Sequence, residues 1–304
     1  MRAMNTLVPN DREGAERAHR IGILGTGLIG GSLAKAIHCV RAHAQVIVAD
    51  PDAATRDAAL AEGVADAVID PARTPPREAF ADCDLLLLAA PPRVIVRTLP
   101  QLAGAEIALI ADVASVKTPI LDAARKAGLS NFIGGHPMAG SETGGWRAAR
   151  ADLFRLAPFI LCEPPECRLS PALREAFRAL LRDIGFRLYA MDAASHDRRM
   201  ALVSHLPHAA AFALAAMAAD AKDPLLAELA GGGFRDTTRV AASSSDLWAD
   251  ILRASPALAE TLDDYIEELR RLRAALEPGV GPDALTTLLR RASDYRRGVS
   301  RPPR

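Results

Sequence analysis

The sequence predicts an α/β protein in two parts: a doubly wound, mainly parallel sheet followed by an all-helical domain. The first observation is a series of short, almost uninterrupted apolar runs, which is typical of strands buried on both faces of a parallel sheet. The second is that helix-compatible segments alternate with these runs up to about residue 191. The third is that strand-like runs then disappear, and alanine, leucine and arginine dominate long helical patterns.

Each element of the first part follows from its local sequence. The predicted strands are residues 21–25, 44–50, 83–91, 106–113, 132–134, 157–162 and 186–191. The predicted helices are residues 32–40, 53–62, 92–102 and 117–127. Gly63, Gly104 and Gly128 follow helical segments, where glycine readily adopts the left-handed conformation of a helix end. This alternation predicts right-handed crossovers between parallel strands.

The second part contains candidate helices over residues 193–219, 224–229, 245–254 and 256–276. The first of them is so rich in alanine and leucine that we expect much of its surface to be buried, in part against a second subunit. The sequence thus predicts a homodimer through the helical domain. The predicted organisation is a flexible N-terminal arm (1–20), a sheet domain (21–191), a helical domain (192–280) and a basic, frayed C-terminal tail (281–304).

Composition and charge argue against several functional classes. Among the 304 residues, 37 basic side chains balance 37 acidic ones, so no net charge attracts nucleic acid or an anionic membrane. The longest uncharged apolar run, residues 209–219, is too short to span a bilayer. The N-terminus has no apolar signal segment, and the four cysteines show no paired spacing. We therefore expect a cytoplasmic protein with free thiols and with no nucleic-acid or membrane partner.

The sequence Gly25-Thr-Gly27-Leu-Ile-Gly30 follows a predicted strand and opens a predicted helix, as in a Rossmann-type dinucleotide site. Asp50 ends the second strand, where a carboxylate binds ribose hydroxyls and repels a 2′-phosphate, which favours NAD over NADP. Arg56 lies close enough in sequence to weaken that preference. Pro91, at the end of the third core strand, is expected at the ligand edge. The predicted cofactor-binding residues are Gly25, Thr26, Gly27, Leu28, Ile29, Gly30, Asp50, Ala90 and Pro91.

Four polar segments contain candidates for chemistry. Ser115 follows a strand, where it could bind a ligand or cap the next helix. His136 lies just past a predicted strand, between Gly135 and Pro137, where an imidazole has little to pack against. His205 and His208 share a helix face and are either functional, or core histidines, or metal ligands; no cysteine or carboxylate stands at ligand spacing, so we expect no metal. Arg239 follows a glycine cluster and is a ligand-binding candidate or a surface cation.

Five motifs in order carry a family resemblance: GTGLIGGSLA, DVASVK, GGHPMAGSETGG, SHLPHAAAFALA and GGGFRDTTRVA. The chain resembles prephenate/arogenate dehydrogenase, an enzyme of tyrosine biosynthesis, from about Ile21 to about Leu276. The resemblance implies a nucleotide-binding domain and a helical dimerisation domain. It also implies oxidative decarboxylation of prephenate with NAD, or of its amino analogue arogenate, with NADP a less favoured cofactor.

The resemblance further implies roles for individual residues. His136 matches the catalytic histidine, and Ser115 matches the serine that hydrogen-bonds both this histidine and the substrate hydroxyl. Arg239 matches the arginine that binds a substrate carboxylate. The remaining matches on the substrate side are Ser204, His205, His208, Glu142 and Trp248, the last two with a pocket-lining role.

Two other functions compete with this interpretation. A β-hydroxyacid or imine reductase has a similar architecture, but such an enzyme would carry a lysine in the long first helix of its helical domain. The predicted helix over 193–219 contains no lysine. A nucleotide sensor without catalysis would predict the loss of His136 or Ser115, and both are present.

Overall fold

The sheet domain contains one eight-stranded sheet with the order β3-β2-β1-β4-β5-β6-β7-β8. The computed structural model of the chain describes residues 20–299. Residues 1–19 of the predicted N-terminal arm therefore lie outside the described residues. The strands are β1 (Arg20–Leu24), β2 (Gln45–Ala49), β3 (Ala67–Ile69), β4 (Leu85–Leu88), β5 (Leu109–Asp112), β6 (Phe132–Pro137), β7 (Pro158–Cys162) and β8 (Arg187–Ala190). The three-residue strand β3 is absent from the prediction because so short a run has no readable period.

Helices cover both faces of this sheet. They are α1 (Leu28–Val40), α2 (Ala53–Ala61), α3 (Pro76–Ala79), α4 (Pro92–Thr98), α5 (Thr118–Lys126) and α6 (Pro171–Ile184). Successive strand residues point to opposite faces. Leu85 and Leu87 of β4 join the core that contains the apolar side chains of α1 and α6, whereas Leu86 joins the core that contains those of α4 and α5. This double cover explains why the strands are continuous apolar runs.

The strand order reverses between β1 and β4, and ligands of open parallel sheets bind at such a reversal, beyond the C-terminal ends of the strands. Strands β1, β4, β5 and β6 are each parallel to their neighbour, so they end at the same edge. This topology brings Gly25, Ala90, Ser115 and His136 to one side of the molecule. The doubly wound sheet predicted from the sequence is confirmed.

Strand β7 runs antiparallel to β6, whereas the alternation of strands and helices in the sequence predicts parallel neighbours. In the connection over residues 138–157, the chain forms only two 3₁₀ turns, Trp146–Ala148 and Ala151–Phe154, and no helix that could carry it across the sheet. Pairing with β7 also extends β6 to Pro137. His136 therefore lies within a strand, and its predicted position in the loop after a strand is wrong.

The second domain is helical, as predicted. Its helices are α7 (Ala193–Met200), α8 (Leu206–Asp220), α9 (Leu225–Leu229), α10 (Gly232–Thr238), α11 (Ser245–Ala254), α12 (Leu258–Ala274) and α13 (Pro282–Gly298). A π-helical segment, Ala201–His205, joins α7 and α8 into one long helix. Pro207 has no N–H to donate to the carbonyl one turn earlier, which disturbs the α-helical ladder at this point. The irregular segment contains two predicted site residues, Ser204 and His205.

Many apolar side chains of the helical domain remain exposed in the single chain. Met217 is 71% exposed and Leu229 is 76% exposed. Further exposed side chains are Leu202, Val203, Leu214, Leu225, Leu226 and Phe234. The long helix, Ala193–Asp220, is the one helix of the described residues that is long and apolar enough, by length and composition alone, to cross a membrane. Exposed apolar surface of this extent marks an interaction surface.

The prediction of a frayed C-terminal tail is wrong over residues 282–298, which form α13. Arg291 on this helix forms an ion pair with Glu268 on α12, at 3.0 Å. Arg297 pairs with Asp294 one turn earlier, also at 3.0 Å. The arginines thus meet carboxylates along a helix surface, and the two prolines near the end of the sequence, Pro302 and Pro303, come after Gly298.

Candidate active site

The turn between β1 and α1 has the geometry of a dinucleotide-binding loop. Gly25 has a φ of +88°, which favours glycine. A Cβ atom at Gly30 would lie 1.9 Å from the carbonyl oxygen of Gly25, whereas one at Gly27 would meet nothing within 4 Å. Leu28 and Ile29 form the first turn of α1, whose N-terminus has no side-chain cap. The open space over Gly27 and the free amides of α1 fit the diphosphate of NAD.

Gly30→Ala is expected to weaken cofactor binding at least about tenfold, because the added methyl group would push the loop away from its present position. A fluorescence titration with NADH measures this effect. Gly144→Ala is the matched control, since a Cβ atom there meets nothing within 4 Å. Equal affinity in the two variants would contradict the role of the turn.

Asp50 stands at the end of β2 with its carboxylate already oriented. Its Oδ2 accepts hydrogen bonds from the amide and the hydroxyl of Thr26, at 2.7 and 2.9 Å. Thr26 is fully buried, so its side chain supports Asp50 and its backbone forms the turn. Arg56 donates to the carbonyl oxygens of Asp50 and Pro51, at 2.6 and 3.0 Å. The Nη1 group of Arg56 is thus engaged by the backbone beside Asp50.

His136 is 6% exposed and lies in β6 at the ligand edge of the sheet. Its Nδ1 is 2.8 Å from Nε2 of His196, and Nδ1 of His196 is 2.8 Å from Oδ1 of Asp197. Burial lowers the pKa of His136 well below its ordinary value, and the nearby His196 and Lys117 act in the same direction. His136 is therefore uncharged at neutral pH and is able to accept a proton.

A buried ion pair holds the backbone next to His136. The ammonium group of Lys117 contacts the carboxylate of Asp112 and the carbonyl oxygen of Gly135, and the side chains of both partners of the pair are fully buried. A Cβ atom at Gly135 would lie 2.6 Å from the carbonyl oxygen of Asp112, so only glycine fits there. The glycines before His136 thus allow β6 to lie against β5 and Lys117 to reach the strand.

Ser115 is half-buried in the segment between β5 and α5. Its carbonyl group lies beside the ring of His205, so it stands where the two domains meet. Among the described residues, the hydrogen-bond partner of His136 is His196. The hydrogen bond between Ser115 and His136 that the resemblance implies is therefore not present in this structure.

The helical domain contributes two stacked rings to the site, those of His208 and Trp248, which together are called the ring wall. His208 stacks on Trp248 with the ring centroids 3.4 Å apart, and Nδ1 of His208 is 2.9 Å from the carbonyl oxygen of Ser204. His205 meets Trp248 edge-on at 6.5 Å and bonds Ser255 through Nδ1 at 2.8 Å. His205 is fully buried behind this wall. No group of three or more potential metal ligands occurs among residues 20–299.

Arg239 and Glu142 stand at the outer side of this wall. They form an exposed ion pair, with Nη1 of Arg239 3.0 Å from Oε2 of Glu142. The charge of Arg239 is close enough to His208 to lower the pKa of that ring, together with the larger effect of burial. The guanidinium keeps further N–H donors for a ligand carboxylate. On the cofactor side, Asp250 accepts a hydrogen bond from the amide of Arg93, which ties the helical domain to α4, just after Ala90 and Pro91.

The buried histidines predict a loss of stability in acid. Burial lowers the pKa of His205 to about 4, so between about pH 6.5 and pH 4 the unfolded chain binds a proton that the folded chain does not. For His205 alone, the free energy of unfolding is expected to fall by about 1.4 kcal/mol per pH unit as the pH decreases through this window. Urea unfolding at about pH 7.5 and about pH 5 measures the change. A constant free energy over this range would contradict the buried, neutral state of these rings.

Comparisons with known proteins show the family to which the chain belongs. Residues 33–189 match the prephenate dehydrogenase nucleotide-binding domain, and residues 192–291 match the prephenate dehydrogenase dimerization domain. The chain belongs to the prephenate dehydrogenase family. The match to the nucleotide-binding domain begins within α1, after the Gly25–Gly30 turn. The match to the dimerization domain extends past Leu276 into α13, farther than the resemblance seen in the motifs.

Relatives within the prephenate dehydrogenase family carry several substrate names. A cyclohexadienyl dehydrogenase of Zymomonas mobilis is 37% identical over 84% of this chain and 88% of its own length. A prephenate dehydrogenase of Bacillus subtilis is 33% identical over 91% of this chain and 75% of its own length. The structure of Synechocystis arogenate dehydrogenase matches 92% of this chain and all of its own, with 30% identity and a TM-score of 0.73. Prephenate dehydrogenase from Aquifex aeolicus, solved with hydroxyphenyl propionate and NAD+, shares the fold at 24% identity and a TM-score of 0.84.

Four residues beside His136 escaped the sequence analysis: His196, Asp197, Lys117 and Asp112. Lys117 and Asp112 lie in DVASVK, a motif chosen for its serine. An adjacent histidine and aspartate just after the last strand were a signal that could have been noticed. Their distance from His136 in sequence, 60 residues for His196, hides the contact from any local pattern.

Proposed function

We propose that this chain catalyses the NAD-dependent oxidative decarboxylation of prephenate to 4-hydroxyphenylpyruvate, a step of tyrosine biosynthesis. One observation carries the proposal: a buried, uncharged His136 at the ligand edge of the sheet, between the dinucleotide turn and the ring wall of the helical domain. A base that is neutral at physiological pH, beside a cofactor that accepts hydride, is what the oxidation of a ring hydroxyl requires.

His136 takes the proton of the substrate hydroxyl. As that O–H bond breaks, its electron pair forms the carbonyl bond while the ring carbon loses hydride. The chemistry that NAD supplies when bound is the acceptance of this hydride. The ring carboxylate then leaves as carbon dioxide, its electrons make the ring aromatic, and the proton returns to the phenol oxygen. Ser115, on the neighbouring segment, orients the hydroxyl group.

Arg239 binds a carboxylate of the substrate. Its guanidinium stands at the outer side of the ring wall, where its two Nη groups suit a carboxylate geometrically. His208 and Trp248 form one side of the pocket, with Ser204 and Glu142 at its rim and His205 behind it. On the cofactor side, the turn Gly25–Gly30 and Asp50 hold the diphosphate and the ribose, and Ala90 and Pro91 border the nucleotide.

Arogenate is the second candidate substrate, because the relatives include a cyclohexadienyl dehydrogenase and an arogenate dehydrogenase structure. The two substrates differ in the side chain, a keto acid against an amino acid. The deciding assay follows NADH absorbance with each substrate, and with NADP in place of NAD. We expect turnover with prephenate and NAD. The absence of turnover with both prephenate and arogenate, whether NAD or NADP is the cofactor, would overturn the proposal.

We further propose that the enzyme is a cytoplasmic homodimer joined through the helical domain. The exposed apolar side chains on and beside α8 support this arrangement, as does the match to a dimerization domain. All four cysteines are unpaired, which supports a reducing compartment. Sedimentation of the purified chain tests the dimer: a monomer at micromolar concentration would contradict it.

A further inference from the structure

A chain of hydrogen bonds runs from the helical domain to the base. The carboxylate of Asp197 is 2.8 Å from Nδ1 of His196, and Nε2 of that ring is 2.8 Å from Nδ1 of His136. All three side chains are buried, so water does not compete for these contacts. Asp197 and His196 begin the long helix of the second domain, whereas His136 belongs to the sheet. The catalytic histidine is thus held by a pair of residues from the other domain.

The carboxylate of Asp197, at the end of this series of hydrogen bonds, determines which ring nitrogens of His196 and His136 carry protons. Hydrogen bonds from His196 and from two backbone amides keep the pKa of Asp197 low, although burial alone would raise it. An ionised carboxylate only accepts, so Nδ1 of His196 must donate. Burial lowers the pKa of His196, so this ring is neutral and its Nε2 is an acceptor. Nδ1 of His136 must therefore donate, which leaves Nε2 of His136 without a proton.

We propose that His196 and Asp197 are positioning residues, which hold His136 in the tautomer whose Nε2 accepts the proton of the substrate hydroxyl. Neither residue contacts the reacting atoms; both act through His136. This inference rests on the proposed function for the identity of the substrate, but the tautomer itself is a property of the protein without substrate.

Asp197 has a second role in the same site. Its Oδ1 also accepts a hydrogen bond from the amide of Lys117, and its Oδ2 accepts one from the amide of Thr118, each at 2.8 Å. These amides open α5 and directly follow the segment of Ser115. One carboxylate thus fixes both the base, through His196, and the backbone that presents Ser115. Docking of the helical domain therefore completes the arrangement of the active site.

The direct test is a ¹⁵N–¹H correlation spectrum of the histidine rings in the full-length protein without substrate, with His136→Asn identifying the signals of that ring. We expect the His136 proton on Nδ1 and an unprotonated Nε2. In His196→Leu, which removes the acceptor at similar volume, we expect the proton to move to Nε2. A wild-type His136 protonated on Nε2 would overturn the proposal, whether or not prephenate is the substrate.

The kinetic test compares two replacements of the same ring. His196→Leu is expected to lower kcat about 100-fold with the KM values for prephenate and NAD changed less than about threefold, since Nε2 of His136 then carries a proton and cannot accept one, while both ligand sites remain. His196→Gln keeps an oxygen that accepts a hydrogen bond from Nδ1 of His136. Its kcat is therefore expected to be at least about tenfold higher than that of His196→Leu. A purely structural role would give equal losses in both variants, and this result would contradict the proposal.

Asp197→Asn and Asp192→Asn form a matched pair, because both remove one negative charge from the start of the same helix. Asp192 is exposed and caps the helix through the amide of Ser195. We expect Asp192→Asn to keep kcat within about twofold. Asp197→Asn places an amide N–H against the backbone amides of Lys117 or Thr118 and is expected to lower kcat at least about tenfold. An equal kcat in the two folded variants would contradict the role of Asp197.

If the wild-type protein turns over neither substrate, the proposed function fails, and the spectra alone decide the positioning role.

Discussion

His136→Asn is expected to lower kcat for prephenate at least about 100-fold and to leave the affinity for NAD unchanged. Asparagine keeps a polar group in the buried site but has no atom that accepts a proton near neutral pH, and the loss of a general base has this scale. His136 lies in β6, whereas the Gly25–Gly30 turn follows β1, so the replacement leaves the residues of that turn unchanged. Steady-state kinetics and a NADH fluorescence titration measure the two quantities.

The control for this variant is His43→Asn, an exposed histidine in the loop before β2. It is expected to behave as the wild-type protein in both measurements. The melting temperature of His136→Asn separates a chemical defect from a folding defect, since the asparagine loses the hydrogen-bond geometry toward His196. A folded His136→Asn enzyme with a wild-type kcat would show that another residue accepts the proton.

Arg239→Ala is expected to raise the KM for prephenate about 30- to 100-fold, with a smaller decrease in kcat. This increase corresponds to about 2.0 to 2.7 kcal/mol, the scale of losing a charge-assisted hydrogen-bond pair with a carboxylate. Arg239 is exposed and pairs with Glu142, whereas His136 is hydrogen-bonded to His196, so the replacement of Arg239 removes binding energy and leaves the contacts of the base in place. Initial rates over a range of prephenate concentrations separate the two constants.

Arg235→Ala is the matched control, because Arg235 is an exposed arginine one helical turn earlier, on α10. Its KM is expected to stay within about twofold of wild type. Arg239→Lys keeps the charge but loses the planar fork, so its KM is expected to fall between those of the wild type and the alanine variant. A decrease in kcat alone in Arg239→Ala would contradict the carboxylate-binding role.

The sequence predicts most of the fold because its elements are set by local patterns. Continuous apolar runs such as residues 83–91 are specified by burial on both faces, and the glycines of residues 25–30 mark a turn that other residues cannot adopt. The errors occur where a local pattern is weak or has two interpretations. Strand β7 is antiparallel because its connection lacks a crossing helix, and α13 is helical although its arginines suggested a disordered tail.

By itself, the sequence determined which edge of the sheet presents each candidate residue: His136, Ser115 and the turn Gly25–Gly30 all follow or end strands that a parallel sheet must bring to one edge. Only the tertiary structure decided which partners those residues have. His196 and Asp197 reach His136 across the boundary between two domains, and Lys117 reaches Asp112 and Gly135 inside the core. The physical reason is that a hydrogen bond depends on distance and direction in space, which the packing of the helical domain against the sheet creates and no local sequence pattern records.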